Sequence, residues 1–400
     1  MYMIPRNTQG WRDTLNKHTT IFLAILLITT LISIGAVGCG SDKTSTTVST
    51  KTSKASKPST TNSIAANNTT NATVTTVAKL KADLNGAGAT FPEPVYIEWV
   101  GAFQGVQPGV IINYQGVGSG AGIEQFTAQT VDFGASDAYM KDEELAAAEK
   151  ARSGAKVIHI PTVFGAITLT YNLPGINDLK LDSDTLANIF LGKITKWNDS
   201  ALAALNPGVN LPDSDIKTIH RSDSSGTTNA FTSYLKAVNA DWAAGPGSGK
   251  EIQWTGGVGA KGNDGVATLV KQTANSIGYV ELAYAVQNGM AMAEIKNKAG
   301  NFIAPTLEST SAAANLSTIP NDMKLVVSNS DIPEAYPIVT VTYLLAYDKW
   351  PDATKAEAFK AWLTWALGAE GSSIASELGY APLPDNLKGA VQKMVDSIGS

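Results

Sequence analysis

Cysteine, histidine and charge are all scarce in this chain. A single cysteine, Cys39, occurs in 400 residues. No intrachain disulfide can form, so any folded part must be held by its own core. The three histidines include only His159 and His220 beyond the N-terminal region. Neither belongs to a His/Cys/carboxylate cluster at ligand spacing, which argues against a metal centre; no cofactor is expected. The same shortage leaves a hydrolase without a plausible imidazole base. Ser225 could be imagined as a nucleophile, but the Gly-X-Ser-X-Gly elbow is absent around it.

What is present begins with an address. Arg6, Arg12 and Lys17 precede an almost wholly apolar run at residues 21–37 that stops at Gly38-Cys39-Gly40. Basic-then-apolar order is that of a secretory leader, and the run is short for a membrane span. The position of Cys39 after Ala36-Val37-Gly38 resembles a bacterial lipoprotein cleavage box, which implies lipidation of Cys39. Ala36 stands where such boxes carry Leu, and an uncleaved anchor is the alternative. Either reading puts the body at the cell membrane, facing the periplasm or cell exterior, with membrane contact only through the N-terminal anchor. Residues 1–38 are thus read as leader and 39–80 as a disordered tether. About half of the tether is Ser or Thr, a composition that buries too little surface to offset ordering entropy.

Charge separates these parts. Residues 1–38 carry +2 and residues 40–79 carry +4, which within a total of −5 leaves the body at −11. So acidic a body is a poor partner for nucleic acid, and an anionic ligand would have to be held by local donors rather than by a broad positive field.

The body alternates strands and helices, an α/β pattern. Strands are predicted at 110–115, 131–135, 156–160, 166–171, 216–220, 277–280 and 338–346. Helices are predicted at 142–152, 183–191, 227–238, 354–367 and 371–378. Stretches able to hold a tetrahedral oxyanion lie at 86–91, 116–119, 135–137 and 221–227, mostly where strands run into loops, the usual ligand position in open α/β sheets. The last supplies a guanidinium, hydroxyls and free N–H groups within a few residues. An ionised carboxylate, Asp137, fits such a site only if the ligand brings a proton to donate.

Asn85-Gly-Ala-Gly-Ala-Thr-Phe-Pro, Asn113-Tyr-Gln-Gly-Val-Gly-Ser, Thr130-Val-Asp-Phe-Gly-Ala-Ser-Asp, Phe190-Leu-Gly-Lys-Ile-Thr-Lys-Trp-Asn-Asp, Arg221-Ser-Asp-Ser-Ser-Gly-Thr-Thr and Gly262-Asn-Asp-Gly-Val-Ala together resemble the periplasmic phosphate-binding proteins of phosphate ATP-binding-cassette importers. The likeness runs from about residue 84 to about residue 385. It implies a two-lobed Venus-flytrap fold with a two-strand hinge, one lobe from 81–164 plus 338–400 and the other from 165–337. It also implies phosphate contacts at Thr90, Phe91, Ser119, Asp137, Arg221, Ser225, Gly226 and Thr227, with Asp223 pairing with Arg221. A monomer that delivers inorganic phosphate to permease subunits, and catalyses nothing, is the implied role. Sulfate carries no proton for Asp137 and should be rejected.

Read singly, these residues have plainer explanations. Residues 86–89 are a strand-to-helix turn, Ser119 a loop residue, Asp137 a cap for the helix at 142 or a surface charge. Arg221 and Asp223 are a surface ion pair, and Ser225 or Thr227 a helix cap. Their joint occurrence favours the site. A surface adhesion or sensory module on the same scaffold is the remaining alternative, since scaffold does not settle role.

Overall fold

The computed structural model describes residues 79–399; the leader, almost all of the tether and Cys39 lie outside them. The described residues group within one compact unit. Among the described residues no helix is long and apolar enough to cross a membrane.

The chain enters through β1 (Ala82–Gly88), whose alternate residues Ala82, Leu84 and Gly86 are buried. After the Thr90-Phe91-Pro92 turn comes α1 (Glu93–Val106), which buries Tyr96, Trp99 and Phe103 at spacings of three and four residues, one apolar stripe. β2 (Val110–Gly116), α2 (Ser119–Thr127), β3 (Phe133–Ser136) and α3 (Asp142–Ala151) follow. β1 lies parallel between β2 and β3. Gly122 lets α2 sit directly on this layer: a Cβ there would fall 2.3 Å from Gly88 Cα and 2.9 Å from the Ala87 carbonyl oxygen. Backbone cannot swing aside as a side chain can. Gly122→Ala should therefore destabilise the protein by about 1–3 kcal/mol, read as a lower urea midpoint at unchanged slope.

β4 (Val157–Asn172) is buried over nearly its whole length. Its first part pairs antiparallel with β12 (Val339–Tyr347) through Ala166↔Val339, and its second part pairs with β8 (Ser276–Glu281) from Ile167 onward. Where the partner changes, the Ile167 N–H donates to the Ile338 carbonyl at 2.7 Å. The sequence pattern predicts two strands here, split around Pro161. The structure keeps one strand because Pro161 flanks a register irregularity opposite Thr342 and Tyr343, the kind of place where a strand tolerates a residue without an N–H.

Beyond β4 lie β5 (Lys180–Leu181), β6 (Lys217–Arg221), α4 (Gly226–Val238), β7 (Val258–Ala260) and α5 (Gly262–Gln272), then the short β9 (Ala291–Met292), β10 (Glu294–Lys296) and β11 (Phe302–Ile303). The main sheet runs β2-β1-β3-β12-β4-β8-β6-β7, with β9 and β13 (Ala381–Pro382) also against β4; β11-β10-β5 form a small second sheet. Near the C-terminus α6 (Ala353–Ala366) and α7 (Ala369–Glu377) return to the first half of the sheet. There Trp99 Nε1 donates to the Gly371 carbonyl at 2.8 Å, and Trp362 packs on Tyr96 and Phe133. Trp99, Trp197, Trp242 and Trp362 are fully buried, as core packing requires.

Candidate functional site

The segments singled out in the sequence meet at the carboxyl ends of β1, β2, β3 and β6. Thr90 and Phe91 follow β1, Ser119 opens α2 after β2, and Asp137 follows β3. Arg221 ends β6, and Ser225 is the N-cap of α4, its Oγ accepting from the Thr228 N–H at 3.0 Å. Thr90, Ser119, Asp137, Arg221, Ser225 and Thr227 are all buried. Phe91 is buried too, its ring edge-on to Tyr380, whose hydroxyl donates to the Phe91 carbonyl.

Two sides of the sheet touch here. Ser119 Oγ accepts the Gly226 N–H at 3.0 Å and the Asp137 N–H at 3.3 Å, and the Gly120 N–H donates to the Ser224 carbonyl at 3.0 Å. The approach is so close that residue 226 has to be glycine: a Cβ would fall 2.4 Å from Ser119 Oγ and 2.6 Å from Asp137 Oδ2. At the rim Lys250 of the second side pairs with Glu144 of α3. Asp137 does not cap α3, whose first residue follows Lys141; there the Lys141 N–H donates to Glu144 Oε2.

Arg221 is an interior cation, its side chain 1% exposed. Nε and Nη2 grip the two oxygens of Asp223 side by side, and Nη1 reaches Thr227 Oγ1 at 3.4 Å. Nη1 and Nη2 each retain a second hydrogen, held in a planar fork suited to a tetrahedral oxyanion. Burial alone would raise the Asp223 carboxyl, but the hydrogen bonds and charge of Arg221, with the Gly262 N–H, hold it below its ordinary value. The surface-pair reading of Arg221 and Asp223 is therefore wrong.

Asp137 is 5% exposed. Its Oδ1 accepts from Thr342 Oγ1 at 2.8 Å, while Oδ2 lies on the side of Gly226 and Ser119. Burial pushes its pKa up from 3.8 to about 7, against the opposing pull of Thr342 and Arg221. A carboxyl so poised can share a proton that a ligand brings. The sign of the linkage follows. The folded state binds this proton more tightly than the unfolded chain, so burial costs nothing below pH 3.8, more as pH rises, and its full amount above about pH 7. Asp137→Asn should thus raise the melting temperature of the ligand-free protein at pH 8, by about 1–4 kcal/mol of stability, and leave it unchanged near pH 4. Thermal denaturation at the two pH values decides this.

Sequence reasoning missed three contributors. Asn263, fully buried at the start of α5, bonds to both Thr90 and Thr227. Thr342 sits in β12 among β-branched residues, where nothing in the pattern separates it from ordinary strand packing. Glu281, fully buried, donates its backbone N–H to Asn263 Oδ1, and burial raises its carboxyl. Only Asn263 carried a signal, its place in the Gly-Asn-Asp-Gly stretch.

His159 and His220 are engaged elsewhere. His159 Nε2 accepts the Met140 N–H and His220 stacks on Trp254. No cluster able to hold a metal ion occurs among the described residues.

Comparison with known proteins gives a consistent picture. Residues 40–370 match the PBP superfamily domain. The phosphate-binding protein PstS of Xylella fastidiosa (strain Temecula1) is 42% identical over 326 residues, covering 80% of this chain and 86% of that one. Phosphate-binding protein PstS 3 of Mycobacterium tuberculosis is 40% identical over 326 residues, covering 80% and 87%. A solved high affinity periplasmic phosphate-binding protein, PfluDING, bound with phosphate, aligns with a TM-score of 0.65 at 24% identity, covering 78% of this chain and 93% of that chain. At that identity it speaks for the fold, an α/β periplasmic-binding-protein architecture.

Proposed function

This chain belongs to the PstS phosphate-binding proteins of the PBP superfamily, and we propose that it captures inorganic phosphate outside the cytoplasm and passes it to the permease of an ATP-binding-cassette importer, catalysing nothing itself. One observation carries this reading. A buried guanidinium with unspent N–H groups, three hydroxyls, a helix N-terminus and one raised carboxyl converge where two sides of the sheet meet. Such a set offers a tetrahedral anion many donors and a single acceptor. In it Thr90, Phe91, Ser119, Asp137, Arg221, Ser225, Gly226 and Thr227 contact phosphate, and Asp223 orients Arg221.

The strands β4 and β12 act as the hinge between a lobe of 81–164 plus 338–400 and a lobe of 165–337. Bound phosphate, touching both, shifts the population toward closure. Ser225 acts as the cap of α4, its hydroxyl accepting the Thr228 N–H. The protein works as a monomer, held at the membrane through lipid on Cys39 or through an uncleaved leader.

Titration calorimetry of the phosphate-stripped protein tests the reading. Phosphate and arsenate, which share shape and protons, should bind, and sulfate should give no heat. Absence of phosphate binding, or equal affinity for sulfate, overturns it.

A further inference from the structure

A hydroxyl has one proton to give and two lone pairs to accept with. In this cage the lone pairs are taken. Ser119 Oγ receives two backbone N–H groups, from Gly226 and Asp137. Thr90 Oγ1 receives Asn263 Nδ2 at 2.9 Å and the Asn263 backbone N–H at 3.2 Å. Thr227 Oγ1 receives Asn263 Nδ2 at 3.3 Å and Arg221 Nη1 at 3.4 Å. The proton of each hydroxyl is then all it has left to offer.

The orientation of the Asn263 amide is not arbitrary. Its other end accepts the Glu281 backbone N–H at 3.0 Å. A backbone N–H can only donate, so the atom facing it is Oδ1 and the atom facing the threonines is Nδ2. Its two hydrogens go one to each hydroxyl, Thr90 after β1 on the first side of the sheet and Thr227 in α4 on the second.

We propose that Asn263 is a specificity-determining positioning residue that sets the proton polarity of the cage, making Thr90 and Thr227 obligate donors to the bound anion. The inference rests on the phosphate reading above and sharpens it. Ligand oxygens facing these threonines must be bare, and the one protonated oxygen must face Asp137. A plain structural role, tying α5 to β1 and β8, would affect stability without any preference for polarity.

Asn263→Asp separates the two, because it keeps the shape and reverses the polarity. At pH 8.5 a carboxylate at 263 draws the threonine protons to itself. Phosphate affinity should fall about 100-fold relative to wild type. The ratio should shrink at pH 5, where the protonated carboxyl recovers one donor. A variant within about threefold of wild type at pH 8.5, or a loss that does not change with pH, overturns the proposal while leaving the phosphate reading intact. Wild-type protein that fails to bind phosphate overturns both. Should Asn263→Asp not fold, neutron diffraction from the wild-type phosphate complex decides. Deuterons on Thr90 Oγ1 and Thr227 Oγ1 directed at the ligand support the inference, and deuterons directed at Asn263 refute it.

Discussion

Replacing Arg221 with alanine is expected to weaken phosphate binding by about 2–5 kcal/mol, or about 30-fold to several thousand-fold. The size follows from burial. An exposed ion pair contributes about 0–1 kcal/mol, but this guanidinium is 1% exposed and clasps Asp223 with two parallel bonds. Its loss removes the strongest donor of the site. It also strands a carboxylate that Arg221 keeps below its ordinary pKa, leaving an unpaired negative charge beside the place where an anion must sit. Arg221→Lys should recover only part of the loss, because an ammonium cannot serve Asp223 and a ligand with one rigid fork. Calorimetry on both variants, with Asp223→Asn as a control for the stranded charge, measures these contributions. A deficit below about 1 kcal/mol for the alanine variant would remove Arg221 from the binding site.

Asp137→Asn should produce the second large effect, on choice of ligand. The carboxylate accepts from Thr342 on Oδ1 and turns Oδ2 toward Gly226 and Ser119. In the amide, Oδ1 can keep the Thr342 bond, which places an NH2 where the wild type has a bare oxygen. A phosphate O–H loses its acceptor there and meets a donor instead. Sulfate, with four unprotonated oxygens, gains a partner. The preference for phosphate over sulfate should fall by about two orders of magnitude or more, since sites that leave a buried polar group unmatched discriminate far beyond what size achieves. Competition titrations with the two anions read the ratio directly; a variant that still ignores sulfate at millimolar concentration contradicts the role given to Asp137.

How much of this was legible beforehand depends on whether the signal was local. The strands at 110–115, 216–220 and 277–280 lie within a residue or two of β2, β6 and β8, because each carries β-branched residues, in alternating burial in β2 and fully buried in β8. Helices α1 and α2 were less legible. The first, with Pro94, Gly101 and Gly105, was signalled only by the strand-to-helix turn at 86–89 and received no range, and the second opens Ser-Gly-Ala-Gly, so Ser119 read as a loop residue. Their helicity is imposed by packing, Trp99 to Gly371 in one case and Gly122 against Gly88 in the other. The same division holds at the site. Arg221, Asp223 and Ser225 form a recognisable local cluster, and the four oxyanion stretches could be grouped by their residue types. Asn263 and Thr342 could not be assigned roles, because each acts on a residue more than 100 positions away and no spacing encodes that.

The change of partner along β4 gives the molecule a mechanical character. Because a single unbroken strand is bonded first to β12 and then to β8, a tilt of one half against the other is spread over several peptide planes instead of being released at a slack joint. Under the hinge proposed above, the protein would work as a leaf spring rather than a door on a pin, and the grip on the anion would have only to overcome the stiffness of β4 and β12.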